Sequence, residues 1–243
     1  MEKAKQTIHF MNVTRLTRVF VKSFLFVLCA FPRSSQAQGT FQNLNFELAA
    51  PISVGGGEPT FVVTTASALP YWTVYYGSVQ QTQISYNDAV LGGEPWLTLS
   101  ATGYPGVPEE VIDGRFTPFL QGGEVNGVST AVSITQTGQI PFGTQSLLFD
   151  SAGNPFQMAV LIGNQEVSLV PVGGGPDYTI YGGNISAWAG QTEQLTFSAS
   201  LGNWAIDDIT FSTQAVPEPN TVELVLTAAT MLGLQRWRKA SQS

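Results

Sequence analysis

The chain has 243 residues and a formal net charge of −7, with 17 acidic and 10 basic side chains, one histidine and one cysteine. Nine of the ten basic residues lie at or before Arg33 or at Arg236, Arg238 and Lys239, so Arg115 alone stands against fourteen acids between Gln38 and Ala215. His9 and Cys29 precede that stretch too, which excludes from it a Ser-His-Asp triad, a thiol nucleophile, a His/Cys zinc site and nucleic-acid binding by counterion release.

At the start, Lys3, Lys5, Arg15, Arg18 and Lys22 precede the apolar run SFLFVLCAF from Ser23 to Phe31, and Ser35-Gln36-Ala37 follows as a small-x-small triplet. This is the pattern of a secretory signal peptide, expected to be helical over its apolar core and to be cleaved after Ala37. The run is well short of the ~20 apolar residues that span a bilayer. Met11 opens a leader of ordinary proportions by itself, so Met1 and Met11 are both candidate starts. An exported body without cysteine has no disulfide staple and must rest on a hydrophobic core.

From residue 38 to 212 short β-type segments follow one another between turn signals: TFVVTTA, YWTVYYG, TQISY, WLTLSA, RFTPFL, AVSITQ, QSLLFD, FQMAVLIG, EVSLVPV, DYTIYGG, EQLTFSAS and NWAIDDITFS. That spacing, with no helical periodicity between, predicts one all-β sandwich or barrel. VGGGEP at Val54 and VGGGPD at Val172 lack the Lys-Ser/Thr of a phosphate loop and are expected to be turns.

Carboxylate chemistry remains open, and Glu109, Glu110 and Asp113 are the acids clustered most closely. Adjacent carboxylates on a strand face opposite ways, so Glu109 and Glu110 are poor partners in a glycosidase pair. In LPYWTVYYG, Trp72, Val74 and Tyr76 are expected on one face and Tyr71, Thr73 and Tyr75 on the other. Tyr71, Trp72 and Tyr75 are therefore candidates for stacking against sugar rings, with the core as the competing destination for any of them.

Two segments carry a resemblance. Asn45-Phe46-Glu47 near the start of the body and Asp207-Asp208 in WAIDDITFS near its end resemble the terminal motifs of the jelly-roll, galactose-binding-like carbohydrate-binding modules. The resemblance implies an antiparallel β-sandwich whose first and last strands lie together, joined by a structural calcium. Glu47 and Asp207, with the Asn45 carbonyl, would be its ligands. By strand alternation Asp207 would also share a face with Ala205, Ile209 and Phe211, and a carboxylate so directed needs a cation or donors.

After a linker over 213–221, residues 222–243 form a short apolar segment and a basic tail. Val222 to Leu234 would rise ~20 Å as a helix against ~30 Å of bilayer hydrocarbon, and it contains Glu223. Val216-Pro217-Glu218-Pro219, this segment, then Arg236, Arg238 and Lys239 strongly resemble the PEP-CTERM sorting signal. That resemblance implies transient membrane contact, recognition by an exosortase at Val216 to Pro219, and delivery to the cell envelope or extracellular matrix. The body ahead of the signal is expected to be a non-catalytic module for exopolysaccharide or another neutral glycan. A purely structural adhesive protein and a carboxylate-based glycan hydrolase or lyase are the alternatives.

Overall fold

Residues 39–57, 60–88, 92–103, 111–153 and 158–216 are described by the structure, a computed structural model. They belong to one compact unit, Gln36–Ser243. In chain order the strands are β1 Ser53–Gly57, β2 Thr60–Thr64, β3 Thr73–Tyr76, β4 Val79–Gln81, β5 Gln83–Tyr86, β6 Trp96–Ala101, β7 Phe116–Val125 and β8 Val128–Thr130. Then follow β9 Val132–Gln139, β10 Ser146–Gly153, β11 Met158–Ile162, β12 Gln165–Glu166, β13 Leu169–Gly174, β14 Thr179–Asn184, β15 Thr192–Ala199 and β16 Gly202–Ser212. Among the described residues helix is confined to one turn at Thr65–Ala68, capped by the Thr64 side chain, and a 3-10 turn at Ser186–Trp188.

The strands form two sheets. One runs β1-β2-β5-β6-β7-β16-β10-β14-β13, with β8 paired to β7, and the other runs β12-β11-β15-β9-β3-β4. Every pairing is antiparallel except β5 with β6. Ser200 and Leu201 alone carry the chain from β15 across to the larger sheet, where β16 inserts between β7 and β10 near the middle.

The sheets meet face to face because alternate positions of both are apolar. Phe149 and Trp204 of the larger sheet contact Phe197 of the smaller at ring distances of 5.1 and 6.4 Å, and Trp72 extends the cluster at 6.3 Å from Phe197. Leu97, Leu99, Leu120, Leu147, Ile134 and Leu195 fill the layers around them with no more than 1 % exposure. Each such fully buried side chain contributes roughly 1.5–3 kcal/mol, which is how a body without disulfides is held. The architecture is an all-β sandwich, as the sequence predicts.

Three local expectations are corrected. Both triple-glycine segments end strands rather than forming turns: Gly55 and Gly56 pair with Val62 and Phe61, and Gly173 and Gly174 pair with Ile180 and Thr179. The turn that follows the second is closed by Gly175 N–H donating to the Tyr178 carbonyl at 3.0 Å. EVSLVPV is two strands in different sheets, since buried Val167 carries the chain from β12 to β13.

Candidate functional site

Ahead of β1 the segment from Phe41 to Ala49 forms no strand, yet it is fixed. Phe41, Leu44 and Phe46 are buried, and Asn43 and Phe46 take positive φ values of 53° and 57° that fold the chain into tight turns. Asn43 ties this shape down through its side chain and its carbonyl, which accepts from Phe46 N–H at 3.3 Å. Its Oδ1 accepts from Leu48 N–H at 2.9 Å, its Nδ2 donates to the Pro70 carbonyl at 3.2 Å, and its own carbonyl accepts from Trp72 Nε1–H at 3.0 Å. Asn45-Phe46-Glu47 is thus a turn and not the start of a strand. It still lies beside β16, because Ile209 N–H donates to the Leu44 carbonyl at 3.0 Å.

Glu47 reaches from this turn to the segment entering β7. Its Oε1 accepts from the main-chain N–H groups of Arg115 and Phe116 at 2.7 and 3.0 Å. The approach depends on Gly114, whose φ is +64° and whose missing Cβ would collide with the Glu47 carboxylate. Arg115 itself lies 5.0 Å over the Phe116 ring.

Asp207 meets the same segment from the other side. It is 1 % exposed; its Oδ2 accepts from Thr117 Oγ1 at 2.5 Å and its Oδ1 from Asp208 N–H at 2.9 Å. Thr117 Oγ1 in turn accepts from Ile112 N–H at 3.0 Å. Burial pushes the Asp207 carboxyl up to about 7, and the neighbouring charge of Asp208 adds to this. Hydrogen bonds from Thr117 and the Asp208 and Asp113 main chain pull the other way.

The face assigned to Asp207 by alternation is corrected by a bulge. Leu148 pairs with Thr210 but Asp150 pairs with Asp207, so two residues of β16 stand opposite Phe149, and Asp208 has φ +46°. Trp204 and Ile206 face the core before the bulge, Ile209 and Phe211 after it. Asp207 therefore lies with Ala205 on the outer face, under the 111–117 segment, opposite Asp150.

Glu47 and Asp207 are brought together on one stretch of backbone, while the Asn45 side chain is exposed. Among the described residues no three His, Cys, Asp or Glu side chains are grouped so as to hold a metal ion by themselves. N–H donors already occupy Glu47 Oε1 and Asp207 Oδ1, so a hard cation would use the remaining carboxylate lone pairs and backbone carbonyls of the two turns. Burial also places Asp207 out of reach of a polymer substrate. Glu109 and Glu110 lie outside the described residues.

Of the aromatic candidates, Trp72 is corrected to core: it is 4 % exposed, 5.6 Å from the Phe46 ring and hydrogen-bonded. Val74 is buried with it, and Tyr76 packs on the core while its hydroxyl accepts from Leu97 N–H at 2.9 Å. Tyr71 is 57 % exposed at φ +72°, in the turn before β3. Tyr75 is half-buried on the outer face of the smaller sheet.

That outer face follows from the register. Val74, Ile134, Phe197 and Val160 form one inward cross-strand row, so the rows beside it point outward. They are Tyr75–Ser133–Ser198–Ala159 and Thr73–Thr135–Thr196–Leu161, with Thr137 and Gln194 beyond. From β3 to β11 these rows hold hydroxyls, an amide, one phenol ring and short aliphatic groups, and no charge. The sequence shows this only as the alternation within YWTVYYG, AVSITQ and EQLTFSAS; which hydroxyls align is set by register.

A second feature escapes the sequence. At one end of the larger sheet a groove of about 420 Å³ is lined by Gln121, Glu124, Leu201, Asn203 and paired glycines. Gln121 Nε2 is spent on the Gly92 and Glu94 carbonyls at 2.6 and 3.0 Å. Gly122-Gly123 is the one sequence mark of this groove, since loop backbone packs where their side chains would be.

Ser35 and Ala37, expected at the cleavage site, and Pro217, Glu218, Pro219, Arg236, Arg238 and Lys239, expected in the sorting signal, lie outside the described residues; Val216 lies inside. Among the described residues no helix is long and apolar enough to cross a membrane.

No family model and no curated protein matches the chain. Among solved structures it is similar to a family 61 carbohydrate-binding module in complex with β-1,4-galactotriose, at 15 % identity over 73 % of this chain and 100 % of that one, with a TM-score of 0.39. A family 29 carbohydrate-binding module is similar at 17 % identity over 63 % of this chain and 97 % of that one, TM-score 0.31. The enzymatically active domain of bacteriophage CBA120 tailspike protein 4 is similar at 15 % identity over 75 % of this chain but 24 % of that one, TM-score 0.34. Likeness at this level is one of shape, and the functional reading rests on this chain's own residues.

Proposed function

We propose that the protein is an exported, non-catalytic module that binds neutral glycan on the outer face of its smaller sheet and is sorted through its C-terminus by an exosortase. The binding reading is carried by one observation, the uncharged rows around Tyr75, Ser133, Thr196 and Ser198, among which Thr135 is itself buried. A phenol ring offers a flat apolar surface to the C–H face of a pyranose, and the flanking hydroxyls and Gln194 offer donors and acceptors to its hydroxyls. With fourteen acids and one cation between Gln38 and Ala215, the body repels anionic polymers, which favours a neutral ligand.

The mature body is expected to be retarded in gels containing neutral polysaccharide and not in gels containing acidic polysaccharide. Tyr75→Ala should weaken that retardation about tenfold while the thermal midpoint stays unchanged. Equal retardation of Tyr75→Ala and the parent would remove this face from the binding site.

Sorting rests on Val216 to Pro219, the apolar run after them and the terminal basic residues. Intact mass from a host with and without exosortase tests it: an exosortase-dependent loss of the tail is expected, and an unchanged mass in both hosts overturns it. A structural calcium at Glu47 and Asp207, with main-chain oxygen near Asn45, would fasten the start of the body to β16 and supply no chemistry to the glycan.

A further inference from the structure

Past the end of β16 the chain turns back onto the body. Thr213, Gln214 and Ala215 are exposed, whereas Val216 is half-buried again. The return is anchored at its middle. The Gln214 carbonyl accepts from Ser146 Oγ at 2.7 Å, Ser146 being wholly buried at the start of β10, and Gln214 N–H donates to Ser212 Oγ at 3.0 Å.

Val216 then sits over Gly182, in β14. A Cβ at Gly182 would stand 2.6 Å from Val216 Cγ1, 2.9 Å from Leu148 Cδ2 and 3.2 Å from Val172 Cγ1. Leu148 on β10 and Val170 on β13 are the ladder partners of Gly182, and Leu147 and Phe149 point into the core, so this is the outer face of the larger sheet. The missing side chain leaves a notch one residue wide between Leu148 and Val172, and Val216 fills it.

We propose that this notch is a docking surface for the chain's own C-terminal segment, a latch that seats Val216 and holds the Val216–Pro217 junction against the sandwich. Proline at 217 disfavours helical backbone at Val216 and favours an extended one there. A peptidase takes its substrate as an extended strand with main-chain contacts on both sides. It can engage this junction only when Val216 has left the notch. The latch stands on contacts within the chain; its bearing on sorting rests on the exosortase reading above.

Gly182→Val fills the notch, and Val216 is the neighbour free to yield. Under a broad-specificity protease, with cuts located by mass spectrometry, the full mature chain carrying Gly182→Val should be cut within 213–219 roughly five- to tenfold faster than the parent. Equal rates overturn the latch. Because Gly182→Val could also disturb β14, a second variant approaches from the other direction. Val172→Cys with Val216→Cys, in a mature body that has no other cysteine, should oxidise to a disulfide and protect the junction, and reduction should restore the parental rate. Failure to cross-link, or cross-linking without protection, overturns the proposal. Both readouts use an added protease, so they report on the latch even where exosortase leaves the parent untouched; that outcome would sink the sorting reading alone.

Discussion

At the scale of single residues the most consequential group is Asp207. Its folded value of about 7 lies above its unfolded value of 3.8, so folding favours the neutral acid. That contribution is fully present below about pH 4 and is lost as pH rises through about 7. Asp208, Asp150 and Thr117 face it, and Glu47 shares its segment. Without added metal, the thermal midpoint should fall between about pH 5 and pH 8. Asp207→Asn should flatten that slope and gain on the order of 2–3 kcal/mol at the upper end. A parent no steeper than the variant would show that Asp207 carries no such linkage. The sequence marks Asp207 as an acid needing a partner, but not which face it takes. The bulge at Asp208 depends on pairing with β10, and nothing in a pair of aspartates announces it. Gly114 gives a companion test: Gly114→Ala must displace Glu47 and adopt φ +64°, and should cost about 1–3 kcal/mol in denaturant melts.

At the scale of elements, β3 shows what alternation can and cannot carry. Trp72, Val74 and Tyr76 on one face and Thr73 and Tyr75 on the other follow the pattern the sequence predicts, whereas Tyr71, expected with Thr73 and Tyr75, falls in the turn before β3. Which aromatic belongs to the core depends on partners far along the chain, Phe46, Phe197 and the Asn43 carbonyl. Trp72→Ala should cost about 3–5 kcal/mol in equilibrium unfolding and leave that carbonyl only the Phe46 N–H, while Trp72→Phe keeps most of the packing and loses chiefly the hydrogen bond. A loss for Trp72→Ala no larger than for a surface substitution would place the ring outside the core. The triple glycines are the opposite case. Glycine signals freedom, and freedom serves a strand end as readily as a turn, so Gly173-Gly174 could be assigned only once Thr179 and Ile180 were seen opposite.

At the scale of the whole molecule, the Phe41–Ala49 turn and β16 join the two ends of the body through Leu44 and Ile209, and Glu47 and Asp207 clasp one segment between them. The proposed calcium belongs to this scale, because a cation there would fasten the ends and favour the ionised acid. Millimolar calcium should raise the thermal midpoint at about pH 8 far more than at about pH 5, and chelator should reverse it. No difference between calcium and chelator at either pH would exclude a cation from the clasp. That the body is a sandwich with its ends adjacent was legible from strand spacing and from the two short terminal motifs. The uncharged rows from β3 to β11 and the groove beside Gln121 and Gly122 were not, because each is assembled by register from residues that are unremarkable one at a time.

The strand order carries a consequence for biogenesis. Among the described residues β16 is the last strand to be made, and it is among the most central in its sheet, so β7 and β10 each lack one neighbour until residues 202–212 have arrived. Cooperative folding of the larger sheet must then wait for residues 202–212, and under the export proposed above the chain would stay slack enough for passage until that strand is through.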